Sequence, residues 1–287
     1  MTKIELTPSL NTMRQREFER FSALIYDEAG IKIPPAKKTM LEARLQKRLK
    51  ALGMHCFEEY ADFVFSPEGQ RQEMVQLVDV VTTNKTDFFR EPQHFDFLVR
   101  TVLPNLNSVR EGVLLSAPFK IWSAGCSTGE EPYTMAMVLS EYARTNPGFR
   151  FSITASDICT KVLKTAKAAV YPEDRVDTIA LALKQKYLLR SKDKNKGLIR
   201  ICSELRNLVQ FHRINLMDDE LAIREQQDVI FCRNVIIYFD KPTQTRLMHK
   251  FHRRLMPGGF LFLGHSETLN GLDVPFQSVA STVYRKL

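Results

Sequence analysis

Apolar residues recur at the spacing of an α-helix through the first eighty residues of the chain. The apolar stripes are Phe18, Phe21, Leu24, Ile25 and Ala29; Leu41, Leu45, Leu49 and Leu52; Phe57, Tyr60, Phe63 and Val64; and Met74, Leu77, Val78 and Val81. The second stripe predicts a helix from about Lys38 to Leu52, and Gly30 and Gly53 lie where glycine commonly follows a helix. Residues 1–82 are therefore predicted to form an all-helical domain.

The second part of the chain alternates short apolar runs with helical stretches, which is typical of a doubly wound α/β fold. Alternation of apolar and polar residues predicts a strand at 119–124 and another at 149–158. The run at 229–231 is wholly apolar, as expected for a strand inside a parallel sheet. Strands at 260–264 and 282–285 are predicted to complete the sheet.

One region interrupts this alternation. Two short strand-like runs, 198–202 and 208–211, follow a lysine-rich turn that ends at Gly197. We predict a small antiparallel β subdomain with an open edge at 170–213, inserted into a domain that spans 92–287.

The loop after the first predicted strand gives the first indication of a ligand. It reads Ala-Gly-Cys-Ser-Thr-Gly-Glu-Glu from 124 to 131. The carboxylates of Glu130 and Glu131 would repel the pyrophosphate of a dinucleotide, and no lysine follows Gly129 as in a P-loop. S-adenosylmethionine, which joins an adenosine to a positive centre, suits this loop better. A plain strand-to-helix turn explains the same residues.

Polar residues also mark the carboxyl ends of two further predicted strands. Asp157 ends the second strand, where a carboxylate either accepts hydrogen bonds from ribose hydroxyls or caps the following helix. Arg233 and Asn234 interrupt an apolar run at the end of the third strand. These positions predict a ligand site at the carboxyl edge of the sheet.

A polar segment at 83–91 connects the two predicted domains. Its adjacent aromatic residues Phe88 and Phe89 are expected to be buried and to hold Arg90 close to them. The alternative is an ordinary linker with Arg90 in solvent.

Composition and charge narrow the class of protein. The 287 residues are 44% hydrophobic and include neither a signal-peptide pattern nor a run long enough to cross a membrane, which predicts a cytoplasmic protein. The five cysteines form no CxxC pair and the six histidines show no metal-ligand spacing, so no metal is predicted. A net charge of +8 indicates an acidic partner, either a nucleic acid or an acidic protein surface.

Part of this charge lies on the second predicted helix. Arg44, Lys47 and Arg48 belong to a face on which basic residues are opposed by a single acid, Glu42. A solvated face usually mixes both signs, so this face is a candidate docking surface for an acidic partner, although simple solvation is the alternative.

Five segments occur in a fixed order along the chain: TTNKTDFFRE at 82–91, WSAGCSTGEEPYT at 122–134, ASDI at 155–158, INL at 214–216 and FCRNVIIYFD at 231–240. Together they resemble the chemotaxis receptor methyltransferase family, CheR, and the resemblance spans nearly the whole chain. It implies a class I S-adenosylmethionine-dependent methyltransferase domain with an N-terminal all-helical domain, a linker that contributes to the cofactor site, and a small antiparallel β insertion.

The resemblance also implies roles for individual residues. Tyr238 matches the tyrosine that faces the transferred methyl group. The position of Arg90 beside Phe88 and Phe89 separately suggests the hypothesis that Arg90 orients the substrate carboxylate by a bidentate contact. No metal is implied. The residues that match the family's cofactor contacts are Asn84, Thr86, Arg90, Gly125, Glu131, Asp157, Asn215, Leu216, Arg233 and Asn234.

The reaction implied is methyl transfer from S-adenosylmethionine to glutamate carboxylates of membrane chemoreceptors. We expect a monomeric protein that meets the membrane only through its receptor. Some members of the family capture a receptor tail at the β insertion. A nucleic-acid methyltransferase is the main alternative, but the residues between Asn234 and Tyr238 are Val-Ile-Ile and lack the prolines of base methyltransferases. A cofactor-sensing module without turnover is the second alternative.

Overall fold

The protein is represented by a computed structural model that describes residues 12–109 and 117–287. Residues 1–11 and 110–116, which the predicted domains include, lie outside the described residues. Among the described helices, none is both long and apolar enough to cross a membrane.

The chain divides into two units, the first ending at Thr83 and the second beginning at Asn84. The first unit is built from helices, as its apolar stripes predict. Gly30 and Gly53 follow its first two helices with φ angles of 70° and 69°, a conformation that glycine adopts without a Cβ clash. The helices are α1 (Gln15–Ala29), α2 (Lys38–Leu52), α3 (Phe57–Val64), α4 (Pro67–Gln72) and α5 (Met74–Val81), with a short 3-10 helix at Pro35–Lys37.

Most residues of the predicted apolar stripes form the core of this unit or pack against it. Phe21, Ile25, Leu41 and Leu45 are fully buried. Leu52, which was predicted to belong to the same core, is 37% exposed. It is the last residue of α2 and lies in a terminal turn that is exposed to solvent, so the prediction of a buried Leu52 is wrong.

A buried ion pair joins α2 to the start of α5. The Arg48 guanidinium donates to both carboxylate oxygens of Glu73, with Nε–Oε1 and Nη2–Oε2 distances of 2.6 and 2.8 Å. The Tyr60 hydroxyl donates to the same carboxylate at 2.9 Å. Because Glu73 is almost fully buried, its charge depends on these partners, and Arg48 has a structural task within the first unit.

The second unit contains the strands and the remaining helices. Its strands are β1 (Phe119–Ala124), β2 (Phe151–Asp157), β3 (Val170–Pro172), β4 (Leu188–Arg190), β5 (Leu198–Ile201), β6 (Val209–Arg213), β7 (Gln227–Cys232), β8 (Leu255–Leu263), β9 (Phe276–Ala280) and β10 (Val283–Lys286). Its α-helices are α6 (Gln93–Phe97), α7 (Leu103–Val109), α8 (Glu130–Thr145), α9 (Thr160–Ala168), α10 (Leu181–Tyr187), α11 (Ser203–Arg206) and α12 (Lys241–Arg254). A π-helical turn, Leu98–Val102, joins α6 to α7, and 3-10 helices lie at Glu173–Val176, Lys194–Lys196 and Ile236–Tyr238.

Seven strands form one sheet in the order β6-β2-β1-β7-β8-β10-β9. The first five are parallel, and β10 runs antiparallel between β8 and β9. The chain proceeds from β1 outward in one direction to β2 and β6, and then returns to the other side of β1 with β7. The switch point between β1 and β7 is where a doubly wound sheet opens a crevice at its carboxyl edge.

Both faces of this sheet are buried, which explains the apolar character of its central strands. In β1 the residues Phe119 and Ile121 pack into one apolar cluster, whereas Trp122 and Ala124 pack into another. The indole Nε1 of the fully buried Trp122 donates to the Ser156 hydroxyl of β2 at 2.9 Å, so its polar atom is satisfied. The predicted α/β class with a helical N-terminal part is confirmed.

The inserted sheet has three strands, and only one of the two predicted strand-like runs belongs to it. It has the order β3-β5-β4 and is antiparallel. The run predicted at 208–211 corresponds to β6, which instead pairs in parallel with β2 at the edge of the main sheet. Its placement in a β insertion at 170–213 is therefore wrong, because a short apolar run does not reveal its partner strand.

The end of the chain also differs in detail from the prediction. β8 begins at Leu255, five residues before the predicted start, and its register with β7 shifts between Gln227 and Val229. This irregularity accommodates Pro257, Gly258 and Gly259, which lie within β8. β9 lies at the sheet edge beside β10 and was not predicted from the sequence.

Candidate functional site

The loop between β1 and α8 comes very close to its neighbours at two glycines. Gly125 and Gly129 have φ angles of 87° and 98°. A Cβ on Gly125 would lie 2.5 Å from Cγ2 of Val235, and one on Gly129 would lie 2.9 Å from the Tyr171 hydroxyl oxygen. Glycine at these positions therefore lets the loop approach both the segment after β7 and the inserted subdomain.

Asp157 connects this loop to the end of β2. Its Oδ2 accepts a hydrogen bond from the Ser127 amide at 2.9 Å, and its Oδ1 accepts one from the Cys159 amide at 2.9 Å. Asp157 is 8% exposed. The carboxylate thus orients the loop and the turn before α9.

A buried cation lies at the end of β7. The side chain of Arg233 is only 2% exposed, and its Nε lies 3.4 Å from Oε2 of Glu91 and 3.6 Å from Oε2 of Glu131. Its Nη2 donates to the carbonyl of Arg90, and its guanidinium lies 5.4 Å from the ring centroid of Phe95. Two carboxylates from different parts of the chain therefore compensate one desolvated guanidinium.

Glu131 lies in the first turn of α8 and faces this cation. The Ser123 hydroxyl donates to its Oε1 at 2.7 Å. Burial raises the pKa of the Glu131 carboxyl, while the charge of Arg233 and the hydrogen bond from Ser123 oppose that shift. The sequence predicted both Glu131 and Arg233, and the structure brings them together.

Some buried polar atoms along this edge have no hydrogen-bond partner among the described residues. They include Nη1 of Arg233, at the end of β7, and Oγ of Ser127, in the loop after β1. Buried polar atoms normally have partners, and these two lie after the strands that flank the switch point. The arrangement fits a polar ligand such as a nucleoside at this edge.

The turn after β7 is held by a carboxylate that the sequence analysis did not single out. Oε2 of Glu267 accepts hydrogen bonds from the amides of Asn234 and Gly264 at 2.8 and 2.6 Å, and Oε1 accepts one from the amide of Ile237 at 3.3 Å. Burial raises the pKa of Glu267, although these backbone hydrogen bonds favour its ionised form. Asn234 has a φ of 59°, so this left-handed backbone is stabilised by an internal acceptor.

The segment at 84–91 belongs to the second unit. Phe88 is fully buried, and the amide of Phe89 donates to the Thr134 hydroxyl of α8 at 3.1 Å. The Arg90 side chain is 34% exposed and donates from Nη1 to the carbonyl of Lys85 at 3.1 Å. Phe88 is thus buried as predicted, Phe89 is half-buried, and Arg90 keeps access to solvent.

The remaining predicted cofactor residues are half-buried around the same sheet edge. Asn215 follows β6, and its Oδ1 accepts a hydrogen bond from the Met217 amide at 3.0 Å, while Leu216 packs against an apolar cluster. Tyr238 ends the 3-10 helix that follows Asn234.

The proposed docking residues lie on α2 in the first unit. Arg44 donates to the carbonyl of Val81 and, at 2.8 Å, to the Thr83 hydroxyl. Arg48 is held in the ion pair with Glu73, whereas Lys47 is exposed to solvent. The two arginines therefore have partners inside the first unit, and Lys47 is the member of the set that projects into solvent.

Glu91, His94 and His265 bring three ligand-type atoms within 4.8 Å of one another. Oε2 of Glu91, which faces both histidines, is also the atom next to Nε of Arg233. Burial, and then the charge of Arg233, lowers the pKa of His94 to about 4. Because the guanidinium already compensates Glu91, we interpret this cluster as part of the charge network and propose no metal there.

Two residues of this network went unnoticed in the sequence for different reasons. Glu91 directly follows Arg90 inside a segment that already resembled the family, so its position was a usable signal. Glu267 lies in the loop after β8, where a single carboxylate is indistinguishable from a solvated loop residue until the fold is known.

A doubly wound sheet with a glycine loop after β1, an acid at the end of β2 and polar residues after β7 is the arrangement expected of an S-adenosylmethionine-dependent methyltransferase, and the family match assigns the chain to that class. The chain belongs to the CheR methyltransferase family. The family's all-alpha domain matches residues 16–82, and its SAM-binding domain matches residues 84–285.

Relatives named chemotaxis protein methyltransferases match nearly the whole chain. A chemotaxis protein methyltransferase of Borreliella burgdorferi is 42% identical over 273 residues, which cover 94% of each chain. Chemotaxis protein methyltransferase 2 of Pseudomonas aeruginosa is 39% identical and covers 94% of this chain and 92% of that protein. The Escherichia coli chemotaxis protein methyltransferase is 37% identical, with coverage of 98% and 94%. S-adenosylmethionine is thus the cofactor, as predicted.

The contacts of Glu267 predict that it positions the turn that carries Asn234 and Tyr238. Glu267→Gln retains the shape of the side chain but weakens its hydrogen bonds, and a hydrogen bond to a charged acceptor is worth about 1.5–3 kcal/mol. We expect methyl transfer to slow by about tenfold to a hundredfold. Glu225→Gln, which alters an exposed carboxylate paired with Lys120, is the control and should retain normal turnover.

Fluorescence of Trp122, the only tryptophan and a buried residue of the second unit, reports in urea whether that unit remains folded. Normal turnover in a folded Glu267→Gln protein would contradict the positioning role.

Proposed function

We propose that the protein transfers the methyl group of S-adenosylmethionine to glutamate side-chain carboxylates of membrane chemoreceptors and forms methyl esters. The observation that supports this most directly is the likeness, over both units, to relatives named chemotaxis protein methyltransferases. The acidic partner expected from the net charge of +8 is then the receptor surface rather than a nucleic acid.

A glutamate substrate suits a site that orients the substrate carboxylate and does not need to deprotonate it. A glutamate has a reference pKa of about 4.3 and is already an anion near neutral pH, so no general base is needed. S-adenosylmethionine supplies an electrophilic methyl group on a sulfonium. The protein must hold the carboxylate in line with that methyl group, with the reacting atoms about 3–3.5 Å apart, and exclude water.

The proposed cofactor pocket follows the carboxyl edge of the sheet. Asp157 is proposed to bind the ribose hydroxyls through oxygens that already orient the loop after β1. Asn215 and Leu216 are proposed to flank the adenine, because they follow β6 next to β2. The other proposed pocket residues are Asn84, Thr86, Arg90, Gly125, Glu131, Arg233 and Asn234.

Arg90 and Tyr238 are proposed to act on the substrate side of the pocket. Arg233 is enclosed by the carboxylates of Glu91 and Glu131 and therefore has little capacity to bind a further one. Arg90 is partly exposed, and among the described residues its Nη2 has no hydrogen-bond partner. We therefore assign the orientation of the incoming carboxylate to Arg90 and the lining of the transfer channel to Tyr238.

Two receptor contacts away from the pocket belong to the same proposal. Arg44, Lys47 and Arg48 on α2 are proposed to attract the acidic helices that carry the methylated glutamates. The inserted sheet is proposed to take up a receptor tail as an added strand. Within that sheet β4 is an edge strand, and its Leu189 is 55% exposed, which supports this edge as the place of addition.

Incubation with methyl-labelled cofactor and receptor-bearing membranes tests the reaction. We expect label on the receptor that mild alkali releases, because carboxylate esters hydrolyse under those conditions. Alkali-stable label on nucleic acid would indicate a base methyltransferase instead, and cofactor binding without transfer would indicate a sensor. Receptors with and without their tail, assayed in parallel, should differ in capture by the protein if the tail binds the inserted sheet.

Arg90→Ala should lower turnover by about tenfold to a hundredfold, because a bidentate contact with a charged group is worth about 1.5–3 kcal/mol. Arg90→Lys should recover only part of the activity, since lysine cannot reproduce the planar fork. Arg100→Ala, which removes an exposed arginine from the π-helical turn after α6, is the matched control. Unchanged turnover and unchanged cofactor binding in Arg90→Ala would rule out the assignment.

The docking proposal is best tested at Lys47, because a change of Arg48 would also break the buried pair with Glu73. Lys47→Glu should raise KM for the receptor about threefold to fivefold at low salt, which corresponds to about 1 kcal/mol for an exposed charge, and leave kcat unchanged. Lys32→Glu makes the same charge change at another exposed position of the first unit. Equal effects of the two variants would argue against a docking face on α2.

A further inference from the structure

Arg175 of the inserted subdomain contacts the segment at 84–91 through its guanidinium. Arg175, in the 3-10 helix after β3, donates from Nη2 to the carbonyl of Thr86 at 2.6 Å. The same nitrogen contacts Oε1 of Glu130, the first residue of α8, at 2.7 Å, and Nη1 lies 3.3 Å from Oδ1 of Asp87. One side chain thus joins three segments that are far apart in sequence.

Two neighbouring residues of the insertion make parallel contacts. The Thr178 hydroxyl donates to the carbonyl of Phe88 at 2.8 Å. The Tyr171 hydroxyl donates to the carbonyl of Thr128 at 2.7 Å, and its ring meets Phe88 edge-on with 5.1 Å between centroids. The insertion therefore contacts both the segment at 84–91 and the loop between β1 and α8.

Among these contacts, we expect the one between Arg175 and Glu130 to contribute most, because it compensates a buried charge. Glu130 is 1% exposed, and a carboxylate in that environment is costly without a cation. The hydrogen bond from Arg175 to Glu130 raises the pKa of the arginine, with a further contribution from Asp87. Arg175 itself is 38% exposed, so it covers the outer side of this contact rather than forming part of the core.

We propose that Arg175 is a positioning residue for cofactor binding, which makes the inserted subdomain a structural part of the cofactor site. Its guanidinium holds the carbonyl of Thr86 and the side chain of Asp87 against the start of α8 and thereby orients the side chains of Asn84 and Thr86. This inference rests on the proposed assignment of those two residues to the pocket. It is independent of any role of the insertion in receptor binding.

Binding of S-adenosylhomocysteine to the full chain, measured by calorimetry, tests the proposal. Arg175→Met should raise the Kd about tenfold, and Arg175→Lys should give a smaller increase because it keeps the charge near Glu130 but loses the fork. In methyl transfer, KM for S-adenosylmethionine should rise in parallel, while kcat at saturating cofactor stays within about twofold, since only binding is weakened.

Two further variants separate positioning from simple loss of stability. Arg175→Met combined with Glu130→Gln removes the unpaired buried charge, so it should fold normally by Trp122 fluorescence and still bind the cofactor product weakly. Arg190→Met breaks the exposed pair between Arg190 and Glu173 within the same insertion, and should leave the Kd unchanged. If Arg175→Met alone fails to fold, the Lys variant and the double variant decide the question.

The experiment distinguishes a failure of the Arg175 proposal from a failure of the pocket assignment. A normal Kd in the folded Arg175 variants, together with weak binding by Asn84→Ala or Arg90→Ala, would overturn the role of Arg175 and leave the pocket assignment intact. A normal Kd in all of these variants would overturn the pocket assignment as well. A fall in kcat with a normal Kd would also contradict the proposal, because it would place the effect on the transfer step.

Discussion

The buried guanidinium of Arg233 is the interaction on which the carboxyl edge of the sheet depends. A desolvated cation requires compensation, and it obtains this from Glu91 and Glu131, which reach it from the segment at 84–91 and from the start of α8. The same side chain also donates to the backbone of Arg90. The end of β7 is thereby tied to two segments that carry proposed cofactor residues, so the charge balance of one arginine organises the crevice at the switch point.

A second group of buried acids serves the backbone instead of a cation. Asp157 accepts amide hydrogen bonds from the loop after β1 and from the turn before α9, and Glu267 does the same for the turn after β7. These contacts place turns rather than side chains in fixed positions. Fixed turns favour a site that binds a nucleoside and aligns two reactants, because the backbone around the reactants then does not need to reorganise before the reaction.

The basic residues of the chain divide into those used internally and those presented to solvent. Arg48, Arg175 and Arg233 each compensate a buried acid within their own unit. Lys47 remains exposed on α2. The count of 41 lysines and arginines therefore overstates the number of positive charges that a partner meets, and only the exposed ones can contribute to docking.

The sequence by itself determined the fold class, the helices α1 and α2 with their terminal glycines, and the edge of the sheet where the proposed ligand residues lie. It could do so because helical and strand periodicity, together with glycine and proline chemistry, are local properties of the chain. Only the tertiary structure decided that β6 belongs to the main sheet, that Arg48 pairs with Glu73, and that Glu267 and Arg175 hold the turns around the site. Strand partners and the compensation of buried charges depend on residues distant in sequence, and a single sequence carries no record of which distant residues meet.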